Sequence, residues 1–158
     1  YRHGDLRSAL AQIDALIQQQ PNNPYFYEVR GQALLEGGKP LEAIAPHVPL
    51  VILSNSMVDL IPASVAHLKA KFHAVYTAEE ARAYKPRFQT FEYMFDRLGC
   101  APDQMMHVSS SFRYDLMTAS DLGFMARAFI DRGHEPTSGS YGVNRLTDVR
   151  QLPGLLGL

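Results

Sequence analysis

The stretch HVPLVILSNS, residues 47–56, decides how the chain is read. Before it, apolar residues recur at helical spacing. From Val48 the pattern becomes a short, β-branched run without helical period. Pro49 bounds it on one side and Ser54, Asn55 and Ser56 on the other, as expected for a buried strand. The boundary between two kinds of structure therefore falls between Ala45 and Val48.

Downstream, the chain alternates. A strand over 50–54 leads to a helix near 58–71, with Leu60, Val65, Leu68 and Phe72 on one face. HAVYTA (73–78) is a second strand. A helix near 87–98 is expected to bury Phe88, Phe91, Phe95 and Leu98. QMMHVSS (104–110) is a third strand, a helix follows to about Leu122, and MARAFIDR (125–132) is a fourth strand. Strands alternating with helices imply a parallel sheet with helices on its faces, an α/β class. Ligands of such sheets bind beyond the carboxyl ends of the strands.

Upstream, the pattern is helical. Leu6, Leu10, Ile13 and Ile17 share a face, with Ala9 and Leu16 beside them. QQQPNNP (18–24) ends that helix, because proline and asparagine stop helices and form turns. A second helix is expected from Tyr25 to Glu36, stopping at Gly37-Gly38, and a third from Pro40 with Leu41, Ala43 and Ile44. GDLRSAL begins at Gly4 and GKPLEAI at Gly38, and the same offset separates Ala9 from Ala43. It is roughly the 34-residue tetratricopeptide period. Small residues at Gly31 and Ala43 would let paired helices approach, and Tyr27, Leu34 and Pro21 fall at fitting positions. Residues 1–47 thus resemble a fragment of tetratricopeptide repeats, and residues 48–158 form a separate α/β piece.

The chain has 158 residues, 46% hydrophobic and 20% charged, with a net charge of −1. This balance gives no reason to expect nucleic acid or a membrane surface as partner. The single cysteine, Cys100 in LGCAPD, excludes an internal disulfide and reads as a bystander thiol. No apolar run reaches the roughly 18 residues of a membrane span. No signal peptide is visible at Tyr1, and the missing initiator Met suggests a start inside a longer protein. A cytoplasmic location is the default.

Polar residues gather after the strands. Ser54, Asn55 and Ser56 follow the first, Lys85 in AYKP follows the second, and Ser109, Ser110, Ser111 and Asp115 follow the third. Singly, each has an ordinary reading. Ser54 or Ser56 could cap a helix, Lys85 could be a surface lysine, and Asp115 could favour a helix start through the dipole. Their order carries more information than any one of them.

That order resembles the haloacid dehalogenase superfamily, and more closely its type II 2-haloacid dehalogenase branch. VILSNS looks like the second motif and YTAEEARAYKPRFQTFEYMFDRLG like the third-motif region with Lys85 as its lysine. HVSSSFRYDLMTASDLGF looks like the fourth motif, and FIDRGHEP like the strand and loop after it. The resemblance implies a parallel Rossmann-like core and a hydrolase acting on a 2-haloacid or related small acid through a covalent aspartyl ester. It implies that Ser54 donates to a substrate oxygen, with Asn55 and Ser56 at the binding end. Lys85 would neutralise charge among the carboxylates. Asp115 and Ser111, with Ser109 beside them, would orient the hydrolytic water. No cofactor is implied, except Mg2+ in phosphatase-like relatives.

The resemblance also implies an aspartate nucleophile at the end of a first strand, upstream of the second motif and followed by a cap. Upstream of Val48 there are only Asp5 and Asp14, both in the first helix, and no D-x-D pattern occurs. The core is therefore expected to lack its first strand and cap and to be inactive as this chain. The strands of the second and fourth motifs would then pair directly, or the gap would take a partner strand. An open sheet of this kind offers a route to oligomers. Two other readings stay open: an anion-binding remnant for a small carboxylate or phosphate, and an interaction module using the tetratricopeptide-like helices.

Overall fold

The computed structural model describes residues 6–21, 26, 30, 39–136 and 138–158, which divide between two compact units. One unit comprises Tyr1–Leu50, Leu68–Phe72 and Arg150–Leu158, and the other comprises Val51–His67 and His73–Val149.

In the first unit, helix α1 (Leu6–Gln19) follows the apolar period read from the sequence. Asp14, on this helix, is ion-paired with Arg30 at 2.7 Å. Helix α2 (Pro40–Ile44) starts with its proline in the first turn, where the missing N–H costs nothing. It buries Pro40, Ala43 and Ile44 and packs against α7 (Leu152–Leu155), which buries Leu152 and Pro153. Apart from Phe26 and Arg30, the helix expected over 25–36 lies outside the described residues, as do Gly4, Gly37 and Gly38.

The second unit is α/β. Strand β1 (Val51–Ser54) is followed by α3 (Ile61–Leu68), β2 (Ala74–Thr77), α4 (Ala78–Ala81) and α5 (Phe88–Leu98). Then come β3 (Met106–Ser109), a π-helical turn (Phe112–Leu116), α6 (Met117–Asp121), β4 (Ala126–Ile130) and β5 (Asn144–Leu146). Every pairing is parallel. β1 lies on β2 with Val51 opposite Ala74 and Ser54 opposite Thr77. β3 lies on β4 with Met106 opposite Ala126, and β4 lies on β5 with Ala128 opposite Asn144.

The strands form two sheets, β1-β2 and β3-β4-β5, and among the described residues no ladder joins β1 to β3. Among the described residues β1 and β3, the strands the resemblance assigns to the second and fourth motifs, are thus not paired directly. A shared helical cover spans both sheets instead. Phe91 and Met94 of α5 pack with Ala119 and Phe124, and Val51, Leu53 and Tyr76 of one sheet and Met105 beside the other adjoin this cluster. A second cluster, Phe112, Leu116 and Phe129, fastens the π-helical turn to β4, with Phe112 and Phe129 ring centroids 4.5 Å apart.

Two helices differ from expectation. α3 is shorter than 58–71 and buries none of its residues, and Leu60 and Leu68 stay 60% and 44% exposed. Along α5, Phe91 is fully buried, but Phe88 remains 47% exposed and Met94 takes a core position. Phe91, Met94, Phe95 and Leu98 form the continuous i, i+3, i+4, i+7 stripe. Phe88, the first residue of the helix, stays exposed, while Thr90 in the same turn is buried. The helix ends at Gly99, whose φ of +64° is the left-handed cap that glycine adopts without a Cβ penalty.

Candidate functional site

Lys85 is placed by its neighbours. Thr77 at the end of β2 forms a reciprocal cap with Glu80, which starts α4. The chain then turns at Arg82 and enters the segment that carries Lys85. Thr90 Oγ1 donates to Ala83 O at 2.9 Å, and Thr118 Oγ1 donates to Pro86 O at 3.1 Å, bracketing the lysine. Asn55 completes the hold. Its Oδ1 accepts from the Lys85 N–H at 2.7 Å and its Nδ2 donates to the Lys85 carbonyl at 3.1 Å. The asparagine after β1 thus imitates a strand neighbour for the lysine's backbone.

The side chain of Lys85 joins the two sheets. Its Nζ donates to Leu53 O on β1 at 2.8 Å and to Asp115 Oδ1 at 2.7 Å. An ammonium has three N–H donors, so one is left. The pair is nearly enclosed, with 12% of the lysine side chain and 7% of the aspartate side chain exposed.

Asp115 sits in the π-helical turn that follows β3. Oδ1 also meets His107 Nε2 at 3.0 Å, and Oδ2 accepts from Ser109 Oγ at 2.9 Å. Burial opposes ionisation of this carboxyl. The His107 hydrogen bond and the Lys85 charge outweigh burial and hold its pKa at about 2. His107 is itself packed between Phe91 and Phe124, with ring centroids 5.6 and 5.3 Å away. Aspartate, lysine and histidine therefore form a largely enclosed cluster around the Asp115 carboxylate.

The remaining residues singled out from the sequence lie around this cluster. Ser54, next to Leu53, accepts from Ser56 N–H at 3.1 Å. Among the described residues its own hydroxyl proton has no acceptor. Ser109 Oγ accepts from Ser111 N–H at 3.1 Å while donating to Asp115. Ser111 Oγ donates to Glu135 at 2.8 Å and accepts from Tyr114 N–H at 3.2 Å. Lys85, Asp115 and Ser109 are in mutual contact through Asp115, and the β1 end reaches them through Leu53 O. Two participants went unnoticed in the sequence. His107 read as the apolar edge of a strand, and Glu135 as part of a loop.

Magnesium does not fit this donor set. Both Asp115 oxygens are already committed, to Lys85 and His107 on one side and Ser109 on the other. Among the described residues no three His, Cys, Asp or Glu side chains gather to hold a metal.

No protein-family model matches the chain. An (S)-2-haloacid dehalogenase from Xanthobacter autotrophicus is 27% identical over 128 residues, covering 77% of this chain and 50% of that protein. The chain spans about half the length of this curated relative. Among solved structures, L-2-haloacid dehalogenase from the same organism matches with a TM-score of 0.60 and 20% identity, over 96% of this chain and 84% of that one. A HAD phosphatase from Thermococcus onnurineus matches with a TM-score of 0.64 and 18% identity, over 93% and 79%. The chain shares the fold of these dehalogenase and HAD phosphatase structures.

No described helix is long and apolar enough to cross a membrane.

Proposed function

We propose that residues 51–67 and 73–149 are the receiving half of a 2-haloacid dehalogenase-type site, one that binds a small carboxylate or phosphate without turning it over. The observation that carries this reading is the position of Lys85 Nζ. It is held between Leu53 O and Asp115 Oδ1 at the end of β1; among the described residues its third N–H and the Ser54 hydroxyl proton meet no acceptor. A cation and a hydroxyl donor beyond the carboxyl end of a parallel strand suit an anionic oxygen.

Covalent hydrolysis needs a carboxylate aimed at the substrate. Asp115 is spoken for on both oxygens, and its depressed pKa reflects stabilisation by those same partners. Asp14 is bound to Arg30 in the other unit. Asp5 lies outside the described residues, in a stretch that reads as helix rather than strand end. The N-terminal unit we read as a tetratricopeptide-like fragment. With fewer than about three repeats it offers no solenoid groove for a peptide, so the function is assigned to the α/β unit. Among the described residues one edge each of β1 and β3 carries no ladder, which we read as a route to self-association, and a cytoplasmic setting suits small-acid chemistry.

The test is titration of the full chain with inorganic phosphate and with 2-chloropropionate, followed by calorimetry and by amide NMR. Binding that weakens in both Ser54→Ala and Lys85→Met supports the reading. Wild-type protein that binds neither probe, or variants that bind as well as wild type, would remove it.

A further inference from the structure

Glu135 stands on the loop leaving β4, and both of its carboxylate oxygens are engaged by a segment 22–24 residues earlier. Oε1 accepts from Ser111 Oγ at 2.8 Å. Oε2 accepts from the Phe112 N–H at 2.8 Å and the Arg113 N–H at 3.3 Å. These groups open the π-helical turn, in which the Leu116 N–H reaches back to Ser111 O at 3.2 Å. π-Turns are rare and occur often at functional sites, and Glu135 supplies this one with three contacts at its start.

The turn delivers Asp115. Two routes lead to it from Glu135. One runs through the turn's own backbone. The other runs from Ser111, whose N–H donates to Ser109 Oγ, and from Ser109 Oγ to Asp115 Oδ2. We infer that Glu135 is a positioning residue for the anion site, fastening Ser111 and the first amides of the turn and so setting where Asp115 meets Lys85. This rests on the receiving-half reading above, and extends it to a residue that touches neither Lys85 nor the ligand position.

The effect is geometric rather than electrostatic. Glu135 and Asp115 are like charges, so the Glu135 charge opposes that of Asp115. The groups that favour the Asp115 carboxylate are Lys85 and His107. Hydrogen bonding from Ser111, ahead of the opposing burial, and then from the two amides holds the Glu135 carboxyl below the usual range, in keeping with a tightly made clamp.

The readout is the ammonium signal of Lys85 in 15N-labelled full chain, assigned by its loss in Lys85→Met. Glu135→Ala is expected to shift that signal and speed its hydrogen exchange at least about threefold, as local opening of the turn loosens Asp115. Glu135→Gln keeps the length and one acceptor oxygen but puts an NH2 donor where the other oxygen accepts, so it should disturb the signal less than Glu135→Ala. A clamp that serves only the loop would disturb the Phe112 and Arg113 amides and the stability but leave Lys85 untouched, and that result overturns the inference. Equal disturbance by Gln and Ala would show that the retained length and acceptor oxygen position nothing, and would also overturn it. Should Glu135→Ala not fold, Glu135→Asp decides: it keeps the charge, is one methylene short, and must disturb Lys85. The measurement uses no ligand, so failure of wild-type protein to bind phosphate would count against the receiving-half reading alone.

Discussion

Lys85 Nζ lies 2.7 Å from Asp115 Oδ1 and also holds the Leu53 carbonyl, so one ammonium ties the end of β1 to the turn after β3. No ladder joins these strands among the described residues. The contact is therefore a structural bridge as well as the centre of the candidate site.

Lys85→Met should destabilise the chain by about 3–5 kcal/mol, because it leaves Asp115 buried without its cation. Urea unfolding at neutral pH measures this. A midpoint within error of wild type would mean that the pair is not enclosed in solution.

Acid should act through Asp115. Its folded pKa of about 2 lies below the ordinary 3.8, so the carboxylate favours the folded state above the unfolded value. That contribution, about 2 kcal/mol, is lost as pH falls from about 4 towards 2. Asp115→Asn should flatten the stability profile over that window, leaving a shallower slope from Asp131 and Glu135, whose carboxyls are also depressed. An unchanged slope in Asp115→Asn would place the acid sensitivity elsewhere.

His107→Phe separates packing from hydrogen bonding. The ring contacts with Phe91 and Phe124 can persist, while the 3.0 Å contact with Asp115 is lost. The expected cost is about 1–2 kcal/mol, with the Asp115 carboxyl, followed by carbon-13 NMR, rising from about 2. A carboxyl that stays put would show that Lys85 alone sets its ionisation.

Phe91→Ala should cost about 3–5 kcal/mol, as expected for a fully enclosed ring. Phe88→Ala, at the half-exposed first residue of the same helix, should stay within about 0.5 kcal/mol. Equal losses in the two variants would contradict the orientation of α5.

Much of this arrangement is legible in the sequence because it is local. The β-branched run at 51–54, the alternation of strands and helices, and polar residues after each strand all follow from short windows. So does the prominence of Lys85 and Asp115. What escaped the sequence depends on distant partners. Glu135 matters only because a loop returns to Ser111, and His107 only because Asp115 folds back beneath it. Asn55 read as part of a binding end, but its amide holds the Lys85 backbone from 30 residues away. The exposed face of α3 carries an apolar stripe like that of a buried helix, and spacing alone does not say which surface covers it.

The most direct test of the central claim is halide release from 2-chloropropionate by the purified full chain, run beside Lys85→Met and Asp115→Asn. A receiving half without an aimed nucleophile should release no halide above buffer, while still binding the acid. Halide release by the wild-type chain that disappears in Asp115→Asn would contradict the account, by making Asp115 the attacking carboxylate.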